Sequence, residues 1–192
     1  AEEAAARREE LLEAAAMYSD ELTERLLEEE EIPENLLIRA IREGALERKL
    51  TPVFLGSAYK NKGVQPLMDG VNLYLPSPRD VENEALDIDN EEAPVRLTCD
   101  TDAPLAALAF KLEDGKYGQL TYIRVYQGEL KKGDTAMNVR TGQKVKFGRV
   151  VRMHSDQMEE IDRIPAGYIG AFFGIDCVSG DSFASSGKRL SM

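Results

Sequence analysis

One short apolar run closed by a glycine loop, TPVFLGSAYKNKG at residues 51–63, constrains this chain more than any other feature. Residues 51–55 have the length and character of a strand buried on both faces, as in a parallel sheet. Residues 56–63 follow as a loop. Val64, Leu67, Met68, Val71 and Leu75 then trace one face of a helix that Pro76-Ser77-Pro78 stops. Helix, strand, loop, helix is the closing portion of an α/β layer. A single parallel strand has no sheet to join, so the expectation is part of such a domain.

Upstream, residues 2–31 read as one amphipathic helix, with Leu11, Ala15, Tyr18, Leu22 and Leu26 at spacings of three and four. The heptad pattern is too short and ragged for a coiled-coil arm. Ile32-Pro33 breaks the helix. Pro33 suits the first turn of a second one, on which Leu37, Ala40 and Ile41 share a face and which Gly44 is expected to end. Downstream, residues 79–94 are acidic and poor in apolar side chains, which reads as a linker.

After the linker the texture turns to β. Residues 105–112, 119–127, 135–140, 143–153 and 168–175 are short β-rich runs, punctuated by Asp114-Gly115, Lys132-Gly133-Asp134, Thr141-Gly142 and Ala166-Gly167. Short strands at close spacing with turn signals predict a small barrel or sandwich. The 192 residues therefore divide into a partial α/β domain at 1–78, a linker at 79–94 and a β-domain at 95–192, an α+β multidomain chain.

Net charge is -11, but unevenly placed. Residues 1–94 carry 10 basic against 23 acidic side chains, whereas residues 95–192 carry 14 against 12. Between 131 and 152 lie Lys131, Lys132, Arg140, Lys144, Lys146, Arg149 and Arg152 against the single acid Asp134, with Tyr122, Tyr126 and Phe147 near by. Such hairpins either contact nucleic-acid phosphates, in a salt-dependent and largely sequence-blind way, or simply solubilise the strands.

Other chemistry finds little support. No apolar run reaches the length of a membrane span, and none follows a basic start as in a secretory signal. Cys99 and Cys177 are far apart in the sequence and read as buried small side chains of a reducing compartment, with a disulfide as the alternative. With one histidine, His154, and no cysteine cluster, no metal site is expected; Asp100 and Asp102 read as a solvated turn. His154, at a strand end, reads as structural. No G-x-S-x-G elbow occurs. Nor does any window fit G-x-x-x-x-G-K-[ST], the loop whose amides and lysine grip phosphates. Asp114-Gly115-Lys116-Tyr117-Gly118 is a hairpin turn, and Gly187-Lys188-Arg189 lacks the upstream glycine. No catalytic residue is expected in this chain.

Three blocks carry a resemblance: TPVFLGSAYKNKGVQPLMDGVNLYLPSP, LAFKLEDGKYGQLTYIRVYQGELKKGDT and RVVRMHSDQMEEIDRIPAGYIGAFFGIDCVSGDSFAS. In order, and over nearly the whole chain, the sequence resembles translation elongation factor G, the GTPase that translocates tRNA and mRNA on the ribosome. YGQLTYIRVYQGELKKGD and FFGIDCVSGDSFAS are closer in wording to its mitochondrial-type form. The family's nucleotide domain carries a P-loop, a DxxGH switch, an NKxD motif and a G-S-A loop. Only the last is present, as Gly56-Ser57-Ala58, so the chain is expected to begin after the others.

The resemblance implies that Ser57, Ala58 and Tyr59 form the guanine-contacting loop, through the backbone near Ala58, with Tyr59 where relatives often carry Phe or Leu. It implies that residues 1–50 close the family's helical insert, and that residues from about 95 are a β-barrel facing the small ribosomal subunit. The basic hairpins would then lie on a surface facing rRNA. GTP or GDP and Mg²⁺ belong to the parent protein, and this piece alone is expected to be inactive and to need no cofactor. Its partners would be the ribosome and small-subunit rRNA, with no membrane, in the bacterial cytoplasm or alternatively the mitochondrial matrix. A ribosome-recycling or release-factor relative remains open, as does a stand-alone RNA-binding or adaptor barrel. The last is disfavoured by the apolar faces that residues 51–75 would expose.

Overall fold

Ser19 divides the first amphipathic stretch into two helices. In a computed structural model, which describes residues 2–115, 118–185 and 187–192, α1 spans Glu2–Ala16 and α2 spans Asp20–Leu27. Ser19 Oγ accepts the Leu22 N–H at 3.3 Å, and Asp20 and Glu21 follow in the first turn, where they face the positive end of the helix. The apolar spacing continues across the break, which is why it reads as one helix in sequence. α3 is Glu34–Leu46, with Pro33 at its N-cap.

Gly44 does not end α3. It lies buried inside the helix because Tyr18 packs against it: a Cβ there would sit 2.7 Å from Tyr18 Cδ2. The stop comes after Leu46, where Arg48 takes a left-handed φ of 59°. Its N–H bonds Ala45 O, and the Lys49 N–H reaches back to Gly44 O, each at 3.0 Å. Ala15, Leu22, Leu36, Leu37, Ala40 and Ile41 form the core of this unit, Ala1–Pro76.

The expected strand at 51–55 pairs with nothing among the described residues. Val53 is 80% and Leu55 91% exposed, as befits an apolar run with no sheet neighbour beside it. A 3₁₀ turn at Ala58–Lys60 and α4, Val64–Tyr74, follow. The predicted face of α4 is apolar as read, but Leu67, Met68, Val71 and Leu75 are exposed. The helix meets the preceding run at Phe54, whose ring sits where a Cβ on Gly70 would be.

The second unit, Ser77–Met192, is built from antiparallel strands. Eight of them run in the order β7 (Lys144–Lys146), β6 (Thr135–Asn138), β12 (Ser182–Ala184), β3 (Ala106–Gly115), β4 (Gly118–Gln127), β11 (Ile169–Phe173), β8 (Val150–His154), β9 (Gln157–Glu160). A second pairing joins β5 (Glu129–Lys131) to β10 (Arg163–Pro165). Gly128 alone connects β4 to β5. Its φ of +76° and its closeness to Leu105, where a Cβ would fall 2.8 Å from the backbone, demand a glycine. The turn at Lys116 and Tyr117 lies outside the described residues.

Two expectations fail here for identifiable reasons. The stretch 79–94 is not only a linker: it holds β1 (Asn83–Asp87) and the start of β2 (Ala93–Leu97), which form a sheet with β13 (Leu190–Ser191). Its apolar content is low because each strand buries few side chains, chiefly Ala85 and Leu97. The run 143–153 is split because Phe147 turns inward. Phe147, Phe172 and Phe183 are fully buried and meet edge to face, with centroids 4.8, 5.4 and 6.4 Å apart. They centre a core that includes Ile123, Val125, Leu130 and Ile164. Phe147 therefore offers no surface to a base.

Candidate functional site

Two features carry the expected site residues, one in each unit. In the first, the chain crosses itself at the base of the loop 56–63. Ser57 N–H donates to Lys62 O at 2.9 Å and Lys62 N–H returns the bond at 3.0 Å. The backbones are so close that a Cβ on Gly56 would stand 2.7 Å from Lys62 O, and one on Gly63 2.7 Å from Leu55 O. Within the neck, Lys60 N–H bonds Ser57 O and Asn61 N–H bonds Ala58 O.

This leaves the N–H groups of Ala58 and Tyr59 without an acceptor among the described residues, as the first donors of a helical turn always are. Tyr59 is 98% exposed, so its ring supports nothing in this unit. The loop presents fixed backbone donors rather than side-chain chemistry. Gly63→Ala is expected to break it, because φ is +75° and the new methyl meets Leu55 O. The cost should be about 2 kcal/mol or more, read as faster hydrogen exchange at residues 57–62; unchanged exchange there would contradict the account.

In the second unit the seven basic residues do not form one free patch. Lys131 is ion-paired with Glu129. Lys132 Nζ lies 2.6 Å from Glu160, whose other oxygen is 3.4 Å from Arg149 Nε. Arg152 lies 3.6 Å from Glu159. Arg140 is committed to Asp181. Only Lys144 and Lys146, both on the outer strand β7, have no ion-pair partner among the described residues. Lysines on such an edge also discourage pairing with another sheet.

The partners escaped sequence reading because they lie outside the basic window. Glu159 and Glu160 belong to β9, which folds back on β8 in antiparallel register, Arg152 opposite Glu159. Lys132, then Arg149, hold the Glu160 carboxyl below the usual range, and Lys131 does the same to Glu129. The signal was present: a two-residue turn at Ser155-Asp156 flanked by alternating side chains. Arg163, 3.4 Å from Glu129, and the exposed Tyr168 were likewise unread.

The remaining candidates resolve into structure. Tyr122 donates its hydroxyl to Glu113 at 3.0 Å beneath Lys111, and the Arg124 guanidinium covers Tyr126 at 4.6 Å. His154 is exposed, 3.9 Å from Glu159. Asp100 accepts the Asp102 N–H at 3.0 Å in a local turn. Cys99 and Cys177 are unpaired, and burial pushes the Cys177 thiol up. Among the described residues no group of three or more His, Cys, Asp or Glu is placed to hold a metal ion, and no helix is long and apolar enough to cross a membrane.

Comparison with known proteins fits this division. Residues 118–184 match the family described as Elongation factor Tu domain 2. Elongation factor G 1 of Syntrophus aciditrophicus (strain SB) is 62% identical over 190 residues, 99% of this chain and 27% of its own length. Elongation factor G 1 of Desulfotalea psychrophila (strain LSv54 / DSM 12343) is 57% identical over 192 residues, 100% of this chain and 28% of its own. A crystal structure from Thermus thermophilus superposes with a TM-score of 0.68 at 27% identity, covering 93% of this chain and 24% of that one. The chain thus spans little more than a quarter of the curated relatives it matches.

Proposed function

From its membership of the elongation factor G family, over that quarter of its relatives' length, we propose that this chain serves a ribosome-dependent translational GTPase that moves tRNA and mRNA. Its first unit supplies the loop that contacts guanine, and its barrel docks on the small ribosomal subunit. The observation that carries this reading is the pinned loop at 56–63, which holds the Ala58 and Tyr59 N–H groups in place with no acceptor among the described residues. Backbone donors held in that way suit the edge of a base.

The fit to GTP or GDP is partial. The loop suits the base, but among the described residues nothing fits the phosphates or Mg²⁺, so no step of hydrolysis is assigned to them. The exposed apolar run at 51–55 and the apolar face of α4 are the surfaces that the rest of a nucleotide domain would cover. The relatives are bacterial, and we place the work of the chain in the bacterial cytoplasm.

Docking is tested by co-sedimentation with small ribosomal subunits across a salt series. Binding at low salt that fades as salt rises, and that Lys144→Glu/Lys146→Glu weakens, is the expected result. Failure of the unaltered chain to pellet with subunits at low salt would overturn the docking assignment.

A further inference from the structure

β9 is an edge strand, and its acidic side chains lie beside β8, which carries Arg152 and directly follows Arg149. Val151 pairs with Glu160 and Arg152 with Glu159. Through that register two carboxylates engage three permanent cations: Glu160 takes Lys132 and Arg149, and Glu159 takes Arg152. All five side chains remain well exposed, 44% or more. Exposed pairs of this kind are weak, typically below about 1 kcal/mol. A denser anion can therefore displace the carboxylates.

A second observation lies beside them. Arg152, Glu160 and Arg163 line an open concavity of about 470 Å³ that also contains Tyr168, 58% exposed. An aromatic ring that shares a concavity with arginines suits an unpaired nucleotide, with the base on the ring and phosphate on the arginines. Without β9's carboxylates Lys132, Arg149 and Arg152 would have no ion-pair partner among the described residues, although Asp162 also lines the concavity and Glu129 pairs with Arg163. With them each of the three cations is paired.

We propose that Lys132, Arg149 and Arg152, with Tyr168 in the adjoining concavity, form an RNA contact, and that Glu159 and Glu160 mask these cations until RNA phosphate displaces them. This rests on the reading that the barrel faces RNA, and adds a built-in limit on how tightly it holds. The consequence runs against intuition for a binding surface: removing two side chains' charges should strengthen binding.

The test measures fluorescence anisotropy of a labelled RNA stem-loop with an unpaired loop, titrated with the full 192-residue chain over a salt series. Glu159→Gln/Glu160→Gln should bind about tenfold tighter at low salt, with the slope of log affinity against log salt steeper by about one to two. Glu91→Gln/Glu92→Gln, on the β1–β2 turn, makes the same change in net charge away from these cations. Equal gains in the two double variants would overturn the masking role while leaving RNA binding intact. Absence of binding by every form at low salt would overturn RNA recognition itself, and masking with it.

Discussion

Phe147→Ala is expected to destabilise the barrel unit by about 3–5 kcal/mol, the range for deleting a large aromatic side chain from a packed core. Phe147 is fully buried, and its ring makes edge contacts to both Phe172 and Phe183. Its backbone is pinned as well: its N–H bonds Asp134 O at 2.8 Å and its carbonyl accepts the Gly133 N–H at 2.7 Å. The surroundings therefore cannot follow the missing ring inward, and the cavity persists. Thermal unfolding followed by circular dichroism should show the barrel transition lowered by about 10–20 °C. Phe110→Ala, at a ring 40% exposed, serves as the comparison and should cost less than about 1 kcal/mol. A similar small loss at Phe147 would refute the packing described for this core.

The second large effect belongs to Asp181, 1% exposed at its side chain. Its carboxylate accepts Arg140 Nε at 2.5 Å, Arg140 Nη2 at 2.9 Å, Asn138 Nδ2 at 2.8 Å and the Val178 N–H at 3.0 Å. Asn138 Oδ1 in turn accepts the N–H groups of Arg140 and Thr141. One buried anion thus fastens the turn after β6 to the loop before β12. Arg140, foremost, lowers the Asp181 pKa to about 2 from 3.8.

Because the folded value lies below the unfolded one, the stabilisation is fully present above about pH 4 and is lost as pH falls toward 2. A shift of that size corresponds to about 2 kcal/mol. Asp181→Asn should cost about 2–3 kcal/mol at neutral pH, since the Arg140 head, 55% exposed, can turn to water while the paired loops cannot. Urea denaturation between pH 2 and 6 should then show the unaltered barrel losing its advantage over Asp181→Asn as pH falls. Parallel curves for the two proteins would mean that folding does not shift the Asp181 pKa, and would refute the stabilisation assigned to its ionised form.

The change of texture along the chain was legible because glycine and turn residues punctuate it. The β-rich runs at 105–112, 119–127 and 168–175 sit close to β3, β4 and β11. What escaped has a common cause. Ser19 caps a helix whose apolar spacing runs on unbroken through the cap, so periodicity outweighed the cap signal. β1 and β2 bury too little to look like strands, and β1 pairs with β13, a hundred residues away. Phe147 reads as an aromatic beside lysines, and nothing local says that it points into the core.

The candidate sites divide in the same way. The loop at 56–63 could be located from its two glycines, since a self-crossing backbone leaves no alternative residue there. The basic hairpins could be located, but not their charge state in the fold. Arg140 finds Asp181, and Lys132 and Arg149 find Glu160, by contacts between distant parts of the chain. A count of lysines and arginines in a window records charge. It does not record which charges are already spoken for.

The pairing of β13 with β1 has a mechanical consequence. Leu86 and Asp87 lie against Ser191 and Leu190, the Ile88 N–H bonds Arg189 O at 2.9 Å, and Arg189 clasps Asp89 at 2.7 Å. The first and last strands of the second unit are therefore side by side. Tension applied between the two ends is met by this short clasp together with the Met192 N–H bond to Ser182 Oγ, which ties the last strand to β12. Leu190 of the clasp belongs to a cluster separate from the one built on Phe147, Phe172 and Phe183, so loss of the clasp leaves those ring contacts in place.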